Sequence, residues 1–177
     1  RIGHTGTLDP LATGLMVVCV NKATKLVEIL TNHDKSYIAK VKLGIKTDTY
    51  DITGNVILED NNYHITEEKI KAVLKSFVGE YFQEVPIYSS IKVNGKRLYE
   101  YARKGETVTL PKHLVEIKKI KLLEYNNDNF TFEVSVSKGT YIRSLVNDIS
   151  NKIGICMTLE ELRRITVDKF NVDDAKK

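Results

Sequence analysis

Apolar Tyr37, Ala39, Val41 and Leu43 alternate with Ile38, Lys40 and Lys42, a period of two that predicts a strand with one buried face. Between Thr66 and Val78 the period lengthens. Ile70, Val73, Leu74 and Phe77 recur at helical spacing behind an N-cap Thr66, with Glu67 and Glu68 in the first turn and Ile65 and Ile70 at staple spacing. Gly79 supplies the stop, so a helix is predicted there. A second helical stripe, Ile142, Leu145, Val146, Ile149 and Ile153, ends at Gly154. Glu116–Tyr125 and Phe130–Val136 read as two strands across the polar run Asn126–Asn129, and Asn94-Gly95 signals a tight reversal. Leu15–Val20, the longest apolar run, reads as a buried strand, and Ala23–Leu30 as a short helix. Strands dominate and helices fall between them without βαβ regularity. This predicts an α+β fold built on a mainly antiparallel sheet.

Composition narrows the class. A chain of 177 residues with 42% apolar residues and a net charge of +4 fits one domain and excludes disorder, collagen-like repeats and coiled coil. No apolar run approaches membrane-spanning length. Cys19 and Cys156 sit among apolar neighbours and cannot build a disulfide framework, which points to buried free thiols in a reducing, cytoplasmic compartment. The first residue is Arg1 rather than Met, so the N-terminus is expected to be a cut edge of a longer chain.

The modest charge is unevenly placed. Residues 91–125 hold nine cations and four anions, a net +5, and the rest of the chain sums to −1. Tyr99 and Tyr101 lie inside this block, a composition suited to nucleic acid, where cations meet phosphates and rings meet bases. By charge alone, a solvated face remains the commoner explanation.

Residues 3–14, GHTGTLDPLATG, are the densest in special residues. Three glycines imply sharp turns or close approach, yet neither a Walker loop nor Gly-x-Gly-x-x-Gly is present. The single acid, Asp9, precedes Pro10, which favours an extended backbone. Such a carboxylate suits nucleophilic or acid–base work, or it caps a turn. The four His are scattered, and no metal-ligand spacing or hydrolase elbow occurs.

Together with ATKL at 23–26, DKSY at 34–37, LGIKTDTYD at 43–51, VPIYSSIKVNGKRLYEYARKG at 85–105, SKGTYIRSL at 137–145 and LRR at 162–164, this segment resembles the TruB family of tRNA pseudouridine synthases. The blocks run in order through nearly the whole chain. The LDPLATG portion looks like the stand-alone bacterial branch rather than the guide-RNA relatives.

The resemblance implies a pseudouridine synthase fold with helices flanking the sheet and a central RNA-binding cleft. It implies isomerisation of the T-loop uridine of tRNA (position 55), with base flipping and neither cofactor nor metal. Asp9 matches the family's catalytic aspartate, Arg143 the arginine that holds it ionised, and Tyr37 a tyrosine that contacts the target base and assists proton handling. Tyr141 and Leu162 match positions lining the uracil pocket, and His4 a histidine near the target nucleotide. Lys92, Lys96, Arg97 and Arg103 become candidate RNA contacts. The partner implied is the tRNA T-arm, with no membrane role, and a monomer is the default. Against the family pattern, residues 1–177 read as a catalytic domain trimmed at its N-terminus and lacking a C-terminal PUA-like domain. Two other readings stay open: a tRNA-binding or folding module with little catalysis, and a small-molecule enzyme using Asp9 and Arg143.

Overall fold

The computed structural model describes residues 1–176. Strands β1 (Ile2–His4), β2 (Thr13–Gly14) and β3 (Val18–Val20) lead through a 3₁₀ turn, Asn21–Leu26, into helix α1 (Val27–Thr31). Strands β4 (Lys35–Leu43), β5 (Ile45–Thr47) and β6 (Val56–Glu59) follow, then helix α2 (Glu67–Ser76) and strand β7 (Gly79–Glu84). A small hairpin, β8 (Lys92–Val93) and β9 (Lys96–Arg97), runs into helix α3 (Leu98–Lys104). The chain then forms β10 (Lys112–Tyr125), β11 (Asn129–Val136), helix α4 (Ile142–Ile153), β12 (Met157–Val167) and β13 (Phe170–Asn171).

The main sheet has the order β13-β12-β4-β11-β10-β7, antiparallel throughout, and β2 joins β12 in parallel. The α+β, mainly antiparallel expectation is met. One face of the sheet is the core. Tyr37, Ala39, Val41 and Leu43 of β4, with Phe130, Phe132, Val134 and Val136 of β11, bury against Ile70, Val73 and Leu74 of α2 and Ile142, Leu145, Val146 and Ile149 of α4. Lys40 on the opposite face pairs with Glu160 and Glu161.

Helix ends follow local chemistry. The Thr66 side chain accepts the Lys69 amide, capping α2, and Gly154 ends α4 at φ 81°. Asn94 and Gly95 both take positive φ, 52° and 80°, as a two-residue hairpin turn requires.

Three local expectations need correction. Only Val18–Val20 of the apolar run is a strand, and Val18 and Val20 are exposed while Leu15 and Cys19 are buried. The reason is that β3 pairs only with β1 in a two-stranded ribbon, so one face meets solvent. The helix expected over Ala23–Leu30 is split between the 3₁₀ turn and α1. Cys19 is buried as expected, but Cys156 is only half-buried because it lies in the connection after Gly154. Among the described residues, no helix is long and apolar enough to cross a membrane.

A polar relay through the buried Gln83 fixes the start of α4. Tyr81 donates to Asp148 Oδ2 at 3.1 Å, Gln83 Nε2 donates to the Tyr81 hydroxyl at 2.8 Å, and Gln83 Oε1 accepts the Tyr141 amide at 2.8 Å. Burial raises the Asp148 carboxyl above its ordinary range, only partly opposed by the Tyr81 hydrogen bond. Folding therefore favours the protonated acid, and the cost of ionising it grows as pH rises past the unfolded-state value. Asp148→Asn keeps the acceptor without the charge, so it is expected to raise the urea midpoint at pH 7.5. That gain should shrink as the titration is repeated toward pH 4.

Candidate active site

The glycine-rich loop is strapped to β12. Thr5 donates its amide to Val17 O at 3.1 Å, and the Leu15 amide donates to Arg164 O at 2.9 Å. The Arg164 side chain, 1% exposed, answers from the other side: Nε donates to Leu15 O at 2.7 Å and Nη2 to Gly6 O at 3.1 Å. One arginine thus ties both ends of the segment that carries Asp9. At the turn itself the Asp9 carbonyl accepts the Ala12 amide at 2.8 Å, so the backbone closes the turn and the carboxylate is free for other work. Gly14, at φ 102°, lies so close to β12 that an added Cβ would overlap the Arg164 backbone. Gly14→Ala is expected to cost at least about 2 kcal/mol of stability in urea denaturation, because clash and strained φ add.

Arg143 is the second residue of α4, and the helix start aims it into the space above this loop. Its Nε donates to Asp9 Oδ2 at 2.8 Å and Nη2 to Asp9 Oδ1 at 2.9 Å, a two-pronged ion pair. Further donations reach Thr49 O at 3.3 Å and Tyr88 O at 3.1 Å. The Arg143 side chain is 5% exposed and that of Asp9 26%, so the cation is buried while the carboxylate faces the opening. The fork fixes the direction of the carboxylate.

Asp51 completes the arrangement and was not singled out by sequence reasoning. Its Oδ2 lies 4.0 Å from Arg143 Nε. Its Oδ1 accepts the Thr53 amide at 2.9 Å and the hydroxyls of Thr49, at 3.0 Å, and Thr53, at 2.5 Å. Hydroxyls two residues to either side of an acid were the available signal. Arg143 therefore stands between two carboxylates, one buried and one open to the cleft.

These groups line a cleft of about 910 Å³ that also includes Tyr37, Tyr88, Tyr99, Arg103, Tyr141 and Leu162. Strand register builds its floor: Arg164 lies opposite Tyr37, Leu162 opposite Ala39, and Val136 opposite Lys35. Burial raises the Tyr37 phenol, partly opposed by the nearby Arg164 charge, and burial likewise raises Tyr141. Both stay protonated at neutral pH.

Asp9, Tyr37, Tyr141, Arg143 and Leu162, named from motifs far apart in the chain, thus meet in one cleft. His4 does not join them: it is exposed on β1, opposite Val18, and only its neighbour Thr5 lines the cleft. The basic block divides. Arg103 lines the cleft, with its guanidinium 5.2 Å from the Tyr99 ring centroid. Lys92 and Arg97 face each other across the β8–β9 hairpin, exposed and outside the cleft lining. Lys96 is engaged by Glu106 and lies over the Tyr101 ring. Lys118, on β10, pairs with Asp34 and Glu116.

Residues 1–142 match the TruB family pseudouridylate synthase (N terminal domain). The chain belongs to this family. It is 45% identical over 175 residues to tRNA pseudouridine synthase B of Clostridium tetani and 47% identical over 175 residues to that of Thermosipho melanesiensis. Each alignment covers 99% of this chain, and the chain spans 61% and 57% of those relatives. Two solved structures share the fold. One, an H/ACA RNP bound to a substrate RNA containing 2′-deoxyuridine, superposes with a TM-score of 0.69 at 27% identity, over 97% of this chain and 40% of that one. The other, from a Cbf5-Nop10-Gar1 complex, gives 0.70 at 29% identity over 96% and 42%. The pseudouridine synthase fold expected from the motifs is therefore the fold of this TruB chain.

Proposed function

We propose that this TruB-family chain carries the reaction centre that converts the T-loop uridine of tRNA to pseudouridine in the cytoplasm, without a cofactor. The observation that carries this reading is the two-pronged Asp9–Arg143 pair, whose carboxylate faces a roomy cleft floored by Tyr37 and Leu162. In the proposed reaction Asp9 acts as nucleophile toward the flipped nucleotide, at C1′ or at the base, and the bond it forms is broken again before product leaves, so the free carboxylate is regenerated. The C1′–N1 bond breaks, the uracil turns, C1′ bonds to C5, and C5 releases its proton while N1 gains one. Atoms balance, so the product is an isomer.

Asp9 must be correctly placed before the base arrives, and the Arg143 fork holds it there. A phenol raised by burial is a poor base, so Tyr37 serves as a ring beneath the uracil and as a hydrogen-bond donor. Leu162 extends the same floor beside Tyr37, and the enclosure keeps the detached base from escaping. A base in a folded loop must be extruded to reach this floor. Support for an RNA partner comes from β8–β9, where Lys92 directly opposite Arg97 is a like-charge pair that a bound polyanion would relieve.

The test is a T-arm hairpin RNA tritiated at C5 of the target uridine. Incubation with the protein is expected to release tritium, and unlabelled RNA treated in parallel is expected to keep its mass. Binding without release would favour an RNA-binding module, and neither binding nor release would overturn the proposal.

A further inference from the structure

Among the described residues, two cations at the cleft floor form no salt bridge. Arg164 is almost wholly buried, Lys35 is half-buried, and both line the cleft. Among the described residues neither has a carboxylate within ion-pair distance: Asp34, the acid beside Lys35 in sequence, is taken by Lys118. Burying charge without an opposite charge is costly, and carbonyl contacts offset only part of that cost. The two groups are also close together. Lys35 Cε and Arg164 Nη1 each lie 3.5 Å from the point where a Cβ on Gly6 would stand.

Lys35 keeps a donor in reserve. Lys35 Nζ donates to Thr31 O at 3.2 Å and His33 O at 3.0 Å, which leaves one of its three protons. Arg164 uses Nε and Nη2 on the loop carbonyls and lies beside the Tyr37 phenol, so its contribution to an anion is charge from below. The adjoining amides of Gly6, Thr7 and Leu8 likewise meet no acceptor among the described residues. Burial and the Arg164 charge both push the Lys35 ammonium below its usual range, the mark of a cation that an arriving anion would stabilise.

We propose that Lys35 and Arg164 form a subsite for a backbone phosphate of the RNA next to the flipped nucleotide. Lys35 donates directly to the phosphate, and Arg164 positions the loop and supplies charge from below. This rests on the functional reading above. It gives that reading a reason for the extruded nucleotide to settle with its sugar over Asp9: the phosphate is held on one side of the loop and the base on the other.

The experiment measures binding of a T-arm hairpin RNA as a function of salt. Lys35→Gln is expected to weaken binding roughly 5- to 30-fold and to make the log–log salt slope shallower by about 0.7 to 0.9, the loss of one phosphate contact. Lys35→Arg should restore the slope. Replacing each phosphate flanking the target uridine in turn with a neutral methylphosphonate should weaken wild-type binding at one position and barely affect Lys35→Gln there. Lys71→Gln, remote on α2 and paired with Glu67, serves as the control and should leave the T-arm affinity unchanged. A slope unchanged by Lys35→Gln, or equal methylphosphonate penalties in both proteins, overturns the subsite alone. Wild-type protein that binds no T-arm RNA overturns the functional reading and the subsite together. Thermal unfolding of each variant separates lost contacts from lost fold.

Discussion

Asp9→Asn is expected to reduce tritium release from T-arm RNA by roughly 10⁴-fold or more, while RNA affinity stays within a few-fold of wild type. The asparagine keeps the size of the side chain and one carbonyl acceptor for Arg143, so the loop straps at Gly6 and Leu15 are untouched. What disappears is the negative oxygen facing the cleft. A neutral amide oxygen is a far weaker nucleophile, and nothing else at the cleft floor can replace it. Tyr37 and Tyr141 remain protonated, and Asp51 is enclosed by the Thr49 and Thr53 hydroxyls and the Thr53 amide. Turnover by Asp9→Asn at a substantial fraction of the wild-type rate would remove Asp9 from the mechanism. If affinity fell as far as turnover, Asp9 would be a binding group instead.

Arg143→Met should damage both activity and stability. The substitution leaves Asp51 buried beside an apolar chain and frees Asp9 to swing toward water. Removing one partner of a buried pair is costly, but Asp9 is about a quarter exposed and can be rescued in part by solvent. A loss of about 2–4 kcal/mol in urea denaturation is therefore expected. Conversion should fall by roughly 10³-fold. Arg143→Lys distinguishes charge from geometry. An ammonium is a point charge and cannot present two parallel N–H groups to one carboxylate while also reaching the Thr49 and Tyr88 carbonyls. It should recover much of the stability and little of the rate. Full activity in Arg143→Lys would mean that charge alone suffices and that the fork geometry is incidental.

Much of the frame was legible from period. The strand through Tyr37–Leu43, the helix after Thr66, the α4 stripe and the β10–β11 hairpin all stand where alternation and capping residues placed them. β12 was not visible. Its pairing with β4 slips between Leu159 and Glu161 and again between Arg164 and Thr166, so the period of two is broken twice within eleven residues. Met157–Val167 also carries two adjacent glutamates and two adjacent arginines, a pattern with no apolar face to read. Yet β12 is a central strand and supplies both Leu162 and Arg164 to the cleft. β7, whose Gln83 links Tyr81 to the start of α4, also escaped notice because its buried position is a glutamine.

Local signals in the chain were enough for the strands and helices with clear period and capping and, through the motifs, for the family and for five of the side chains that meet in the cleft: Asp9, Tyr37, Tyr141, Arg143 and Leu162. Those signals lie within a few residues of one another, where capping, turn chemistry and side-chain period act. Tertiary structure alone decided which charges are buried and what each one faces. Asp9 and Arg143 are 134 residues apart, and no local pattern states that one neutralises the other, that Asp51 stands behind them, or that Arg164 forms no salt bridge among the described residues. It also divided the basic block, leaving Arg103 at the cleft, Lys92 and Arg97 on an exposed hairpin and Lys118 neutralised on β10. The electrostatic worth of a charge depends on desolvation and on neighbours brought together by the sheet, and both exist only once the chain has folded.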